Sequence, residues 1–389
     1  MQNFIYHTPT KLIFGKGVIE RLPEELKVYG KKVLLTYGSG SIKKIGLYDK
    51  VISLLKDFEI YELPDIMPNP KYDPSVLEGV RICKENKIDV ILSVGGGSVL
   101  DCSKAIAAGA KYDGDPWDLI TYQAKAKDSL PIVDVLTLAA TGSEFDAGGV
   151  ISRTDTKDKI GYIDPINYPK VSFLDPQYTF TVSKYQTAAG CADAMNHIME
   201  QYFVHDTTLL NDGFCEAAFK SLMINTKKCL ENPNDYTARA EMMLDCTYGC
   251  NGIYSLGNSE SGWPMHCIEH TLSAYYDITH GVGLAIITPR WMKHVLNDKT
   301  LHRFVRYGVH VFDIDPSLDP YEIANKAIEK TYSFFESIDI PMHLKDVGID
   351  DSQIENMAKR IMRNPEFSNP NVFAQLKEED VVAILKASL

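Results

Sequence analysis

From about Lys31 to Leu138, short apolar runs alternate with amphipathic stretches: KVLLTY, SIKKIGLYDKVISLLKDF, EIYEL, DPSVLEGVRICKENK, IDVILSV, SVLDCSKAIAAGAKY and PIVDVLTL follow in order. The short runs read as buried strands and the longer 3.6-residue patterns as helices. Strand and helix taking turns predicts right-handed βαβ crossovers, a largely parallel sheet and helices on its faces. Between Gly148 and Pro176 the pattern changes to β-like runs, GGVISRT and KVSFLDP, bounded by turn residues. From about Ser183 onward long helix-compatible stretches take over, among them NDGFCEAAFKSLMINTKKCL, PRWMKHVLND and PYEIANKAIEKTYSFFESI. The pattern predicts an α/β fold in two parts, a parallel-sheet domain over residues 1–180 and an all-α domain over 181–389.

Folds of the first kind hold ligands at the carboxyl ends of their strands. Two of those ends carry glycine clusters, Gly38-Ser39-Gly40-Ser41 after the first strand of the alternating region and Gly95-Gly96-Gly97-Ser98 after the third. Each leads into a helix whose first N–H groups lack partners, so the backbone can approach a phosphate. Neither cluster matches GxGxxG or a Walker A loop, and one such loop alone reads equally well as a tight turn.

A chain of 389 residues is long enough for two cores. With 45% hydrophobic and 24% charged residues it has the make-up of an ordinary soluble protein. No apolar run reaches the ~20 residues of a bilayer span, and the N-terminus does not read as a signal peptide, which points to the cytoplasm. A net charge of −12 repels a phosphate backbone, so neither nucleic acid nor membrane is an expected partner. The eight cysteines are scattered without a CxxC pair and are expected to be reduced, with Cys191 and Cys267 packing beside histidines.

The chemistry sits in the helical part. Asp193 and His197 are four apart in a proline-free stretch, Ala189 to Phe203, and so share a helix face. His266 and His270 share a face of a second helix, Met265 to Tyr276, and His280 lies in the loop expected from Asp277 to Gly283. One carboxylate and four imidazoles are thus available, and any three imidazoles can join Asp193 on a metal. Three nitrogens and one oxygen suit Zn²⁺ or Fe²⁺, whereas calcium or magnesium takes more oxygen. A metal here and phosphate loops in the other domain suggest chemistry on a small molecule in a cleft between domains.

Taken together, Gly95-Gly96-Gly97-Ser98-Val99-Leu100-Asp101, Gly114-Asp115-Pro116-Trp117-Asp118, Thr141-Gly142-Ser143-Glu144, Asp193 to His197 and HCIEHTLSAYYDITHGVGLAI from His266 to Ile286 resemble the iron-containing, group III alcohol dehydrogenases, in particular their butanol dehydrogenase branch. The resemblance runs nearly end to end. It implies a dehydroquinate synthase-like architecture, with a Rossmann-like first domain and a helical metal-binding second. It implies Asp193, His197, His266 and His280 as ligands of one divalent metal, Fe²⁺ or Zn²⁺, and leaves His270 beside the nicotinamide to relay a proton. Gly95, Gly96, Gly97 and Ser98 become the pyrophosphate cradle with Asp101 nearby, and Thr137, Thr141, Ser143 and Lys159 line the cofactor further along. NAD-preferring relatives often carry an acidic residue where this chain has Gly38. With Ser39, Gly40 and Ser41 the loop is neutral, so NADP(H) is expected ahead of NAD(H). The implied activity is hydride transfer between the cofactor and a short-chain primary alcohol or aldehyde such as butanol or butanal, by a homodimer. One departure is Gly262-Trp263-Pro264-Met265 before His266, where relatives often read Asp-Trp-Ala-Thr, so the substrate pocket wall is expected to differ. Glycerol dehydrogenase-like or dehydroquinate synthase-like chemistry, and a nucleotide-binding protein without turnover, are the rivals.

Overall fold

The computed structural model describes residues 1–364, 367 and 371–389. The chain divides into two compact units, one of His7–Val182 with Pro233–Asn251, the other of Met1–Tyr6, Ser183–Asn232 and Gly252–Leu389.

The first unit is built on six parallel strands: β1 (Lys11–Phe14), β2 (Lys32–Tyr37), β3 (Glu59–Leu63), β4 (Val90–Gly95), β5 (Ile132–Leu136) and β8 (Val171–Leu174), in the order β1-β8-β5-β4-β2-β3. The alternation of apolar runs and amphipathic stretches predicts this parallel sheet. A separate antiparallel hairpin joins β6 (Gly148–Arg153) to β7 (Asp158–Ile163). β2, β4 and β5 are buried along nearly their whole length, because helices cover both faces of the sheet. On one face Leu34, Ile91 and Ile132 pack with helices α1 (Leu77–Asn86) and α2 (Gly97–Ala110). On the other, Val33, Leu35, Leu92, Val133 and Phe173 meet Leu22, Leu26, Leu47 and Val51.

The sequence pattern leaves two partners unassigned. The run KVSFLDP, read with the β-like segment, supplies β8, which inserts between β5 and β1 in the main sheet. A helix inside the stretch read as the all-α domain, α5 (Tyr236–Gly249), packs instead with the sheet unit. There the Thr247 hydroxyl donates to Glu144 Oε1 at 2.6 Å. Periodicity reveals a helix and its apolar face but not which surface that face meets.

The second unit is helical. Its central helix, α3 (Lys184–Tyr202), starts on a Ser183 cap and is buried from Thr187 to Tyr202 all round its circumference. Helix α4 (Leu209–Glu231) packs along it, as does α7 (His280–Val295), which follows α6 (Pro264–Tyr276). None of the described helices is long and apolar enough to cross a membrane.

Candidate metal centre and cofactor loops

Three imidazoles converge on one buried carboxylate oxygen. Asp193 Oδ1 lies 3.4 Å from His197 Nε2, 3.5 Å from His280 Nε2 and 3.9 Å from His266 Nε2. Ligand atoms of Asp193, His266 and His280 all lie within 4.8 Å of one another. Asp193 and His197 come from successive turns of α3, His266 from the first turn of α6 and His280 from the first residue of α7.

The expected loop position of His280 is corrected. Gly281 and Gly283 look like loop residues in the sequence, but they open a helix. A Cβ on Gly281 would lie 2.0 Å from the Ala189 carbonyl oxygen, and one on Gly283 2.8 Å from Glu269 Cγ. Both glycines serve close approach, of α7 to α3 and to α6, and that approach brings His280 to Asp193.

Two buried glutamates that the sequence reading passed over complete the arrangement. Glu200 Oε1 accepts the His266 backbone N–H at 3.0 Å and faces His266 Nδ1 at 3.1 Å. Glu269 Oε2 pairs with His280 Nδ1, and its Oε1 accepts from the Ser273 hydroxyl. A carboxylate behind Nδ1 keeps the proton there and presents the Nε2 lone pair on the opposite side, as histidines that bind metals require. His266 Nε2 is buried with no hydrogen-bond partner among the described residues. Burial and the neighbouring His266 and His280 hold the His197 pKa well below the usual imidazole range, so it is neutral and able to donate a lone pair. The four side chains thus fit one divalent metal with N₃O coordination.

His270 lies one turn after His266. Its ring centroid is 5.3 Å from that of His280 and 6.1 Å from that of His266. It joins Glu269 and His280 in a second group of close donor atoms. Trp263 walls the other side, 5.0 Å from His266 and 5.9 Å from His197 between ring centroids. Its backbone is left-handed, φ 48° and ψ 49°, immediately before Pro264, an uncommon conformation for a bulky residue.

In the sheet unit, β2 and β4 are neighbours, while β3 extends the sheet beyond β2 and β5 beyond β4. The chain reverses direction across the sheet there, which makes the carboxyl ends of this pair the switch point where α/β sheets bind ligands. Both glycine clusters sit at it. Gly38, Ser39, Gly40 and Ser41 are partly or fully exposed, and α2 begins at Gly97 behind Gly96, which provides no side-chain cap. The Thr137 N–H bonds Gly95 O at 2.9 Å, placing Thr137 at the same edge.

Other residues assigned to the cofactor meet protein groups. Asp101 accepts from the Ser143 hydroxyl at 2.7 Å and from the Val150 N–H at 2.9 Å. Fully buried Lys104 donates to Ser143 O and Oγ, Asp146 Oδ1 and Gly148 O at 2.6–2.8 Å. Thr141 Oγ1 accepts the Ser143 N–H at 3.2 Å, and a Cβ on Gly97 would lie 2.3 Å from it. Lys104 is thus the hub that shapes the Thr141–Gly148 loop, with Asp101 beside it. Lys159 lies on β7 opposite Ser152.

A parallel sheet with glycine loops at its switch point, and a helical unit with a candidate N₃O donor set, fit a metal- and nucleotide-dependent oxidoreductase. Residues 9–176 match the family model of iron-containing alcohol dehydrogenases, and residues 187–389 match the C-terminal model of the same family. The chain is 48% identical to NADH-dependent butanol dehydrogenase A of Clostridium acetobutylicum, with 100% of each chain covered. It is 38% identical to NADPH-dependent aldehyde reductase YqhD of Escherichia coli, with 93% of each covered. The crystal structure of NADH-dependent butanol dehydrogenase A from Thermotoga maritima superposes with a TM-score of 0.95 at 40% identity, over 100% of this chain and 99% of that one. The chain belongs to the iron-containing alcohol dehydrogenase family, and is an NAD(P)-dependent oxidoreductase acting on CH–OH groups.

Proposed function

We propose that Asp193, His197, His266 and His280 hold one divalent metal, Fe²⁺ or Zn²⁺, and that the enzyme interconverts short-chain primary alcohols and aldehydes such as butanol and butanal. The observation that carries this reading is the convergence of three imidazole nitrogens on Asp193 Oδ1, with buried Glu200 and Glu269 behind two of the rings. When bound, the metal supplies Lewis-acid stabilisation of charge on the substrate oxygen. The chain's own residues do the rest. Glu200 and Glu269 fix the tautomers of His266 and His280, Trp263 limits the room for the substrate chain, and His270 passes the proton that accompanies hydride transfer. The butanol dehydrogenase names of the relatives support the substrate class.

Gly95 to Ser98 take the pyrophosphate on backbone N–H groups, with Thr137 beside them, and Thr141, Ser143, Asp101 and Lys159 act on the cofactor from or behind the loops that follow. NADP(H) is preferred to NAD(H), because Gly38 to Ser41 put no carboxylate against a 2′-phosphate. The relatives' names divide on this point: the butanol dehydrogenases are NADH-dependent and YqhD is NADPH-dependent. The working form is a homodimer in the cytoplasm.

Butanal reduction with NADPH and NADH side by side, after loading with Fe²⁺ or Zn²⁺, tests these assignments. Turnover with a higher kcat/KM for NADPH is expected. A higher value for NADH overturns the cofactor preference alone, and absence of turnover with retained nucleotide binding overturns the enzymatic reading. His266→Ala is expected to lose both metal and activity, and His270→Ala to keep the metal while turnover falls. Equal metal loss in the two variants would overturn the division of roles.

A further inference from the structure

Away from the metal centre, the C-terminal half of α7 forms a cavity of about 700 Å³ with two other helices of the same unit, α8 (Pro320–Ser337) and α9 (Glu378–Ala387). This lies within the range of ~300–1,000 Å³ typical of small-molecule pockets. Its lining is two-sided. Pro289, Ile328 and Ile384 contribute apolar surface, while Arg290 and Lys293 contribute cationic groups.

Arg290 is the unusual member. Its guanidinium is half-buried over the Tyr332 ring, 5.0 Å from the centroid, and Nη1 donates to Ile286 O at 3.1 Å. Burial lowers its pKa from the ordinary guanidinium value. No carboxylate pairs with it among the described residues. Lys293 donates to the neutral Asn325 amide. His294, also in the lining, pairs with Asp380 at 2.9 Å. Glu329, which is exposed, is the acid among the lining residues, and it forms no ion pair with Arg290 or Lys293. Positive side chains in the last turn of a helix complement its dipole and by themselves say little. A guanidinium folded back into a cavity, in a chain of net charge −12, is a different matter: water solvates it less and no anion compensates it.

We propose that this cavity is a second ligand site, for a small amphipathic carboxylate whose head pairs with Arg290 and Lys293 and whose alkyl chain lies on Pro289, Ile328 and Ile384. The planar guanidinium matches a carboxylate through two parallel N–H donors, which an ammonium does not. The apolar wall adds favourable burial of each methylene. The site is independent of the metal ligands and of the cofactor loops.

Isothermal titration of the metal-loaded enzyme with octanoate at millimolar concentration, with acetate and inorganic phosphate as head-group controls, tests this. Octanoate is expected to bind and the two controls to bind more weakly. Arg290→Met should weaken octanoate by at least about tenfold, the lower end of what charge-assisted hydrogen bonds contribute, while aldehyde turnover is unchanged. Ala383→Trp, which fills the cavity from an exposed position of its lining, should block binding without touching Arg290. His266→Ala, which disrupts the metal centre, should leave octanoate affinity intact. Absence of octanoate binding, unchanged affinity in both cavity variants, or loss of binding in His266→Ala would each overturn the proposal, the last by locating the ligand at the metal.

Discussion

Two buried carboxylates, Glu200 and Glu269, determine which nitrogens of His266 and His280 face Asp193. Replacing either with Gln keeps an oxygen that can accept the Nδ1 proton but removes the charge that holds it there. Metal affinity is expected to fall by roughly 10–100-fold in Glu200→Gln and in Glu269→Gln, measured by competition with a chelator. Affinity equal to that of the parent would show these contacts to be packing only. In the proposed site Trp263 bears on the room for substrate and not on the metal: its indole flanks two of the proposed ligand rings from a left-handed backbone position. Trp263→Leu removes an aromatic wall and is expected to raise kcat/KM for hexanal relative to butanal by about tenfold, the lower end of what one methylene is worth in an apolar pocket. An unchanged ratio would remove Trp263 from the substrate path.

The metal set depends on how closely whole helices approach. Helix α7 meets α3 so tightly at Gly281 that any side chain there strikes the Ala189 backbone, which has no rotamer by which to yield. Gly281→Ala should therefore destabilise the protein by roughly 1–3 kcal/mol, the usual cost of overpacking, and by shifting His280 should also lower metal content. Thermal unfolding and metal analysis read these two effects separately, and a fully metal-loaded variant of parental stability would refute the close-approach argument. The same elements show what a sequence conveys. Strands β2 to β5 follow from periodicity, because apolar spacing reports local geometry directly, while the helix carrying Asp193 and His197 follows from a proline-free stretch and that carrying His266 and His270 from a helix-compatible run, each with its site residues four apart. The insertion of β8 beside β5 and the packing of α5 on the sheet unit do not, because they are choices among distant apolar partners. Glu200 and Glu269 each stand three residues after a proposed ligand, so spacing places them near the site's helix faces. That Glu200 serves a histidine of another helix is a consequence of tertiary packing. Asp101 and Ser143 show the converse: their motifs are conspicuous in the chain, yet in the fold they bond each other around Lys104.

For the molecule as a whole, the sheet unit's buried acids set a pH dependence opposite to that of a protein held together by surface ion pairs. Burial raises the Glu144 pKa to about 7 and the Asp101 pKa to about 6, and also raises those of Asp134 and Asp146, with Lys104 partly opposing each shift. A carboxylate whose pKa is higher folded than unfolded binds more protons in the native state. Its contribution is complete below the unfolded value near 4.5 and is lost as pH rises towards the folded one. For Glu144 that window runs from pH 4.5 to about 7, and the loss across it is on the order of 3 kcal/mol. Glu144→Gln retains the oxygen that accepts the Thr247 hydroxyl but cannot ionise. Calorimetric melting temperatures are expected to converge for variant and parent at pH 5 and to separate by pH 7.5, with the variant the more stable. The net charge of −12 also favours lower pH through general repulsion, but it is nearly the same in both proteins and cancels in the difference. Parallel pH profiles would show that Glu144 has the same pKa folded and unfolded, its burial being fully compensated by its hydrogen bonds and by Lys104.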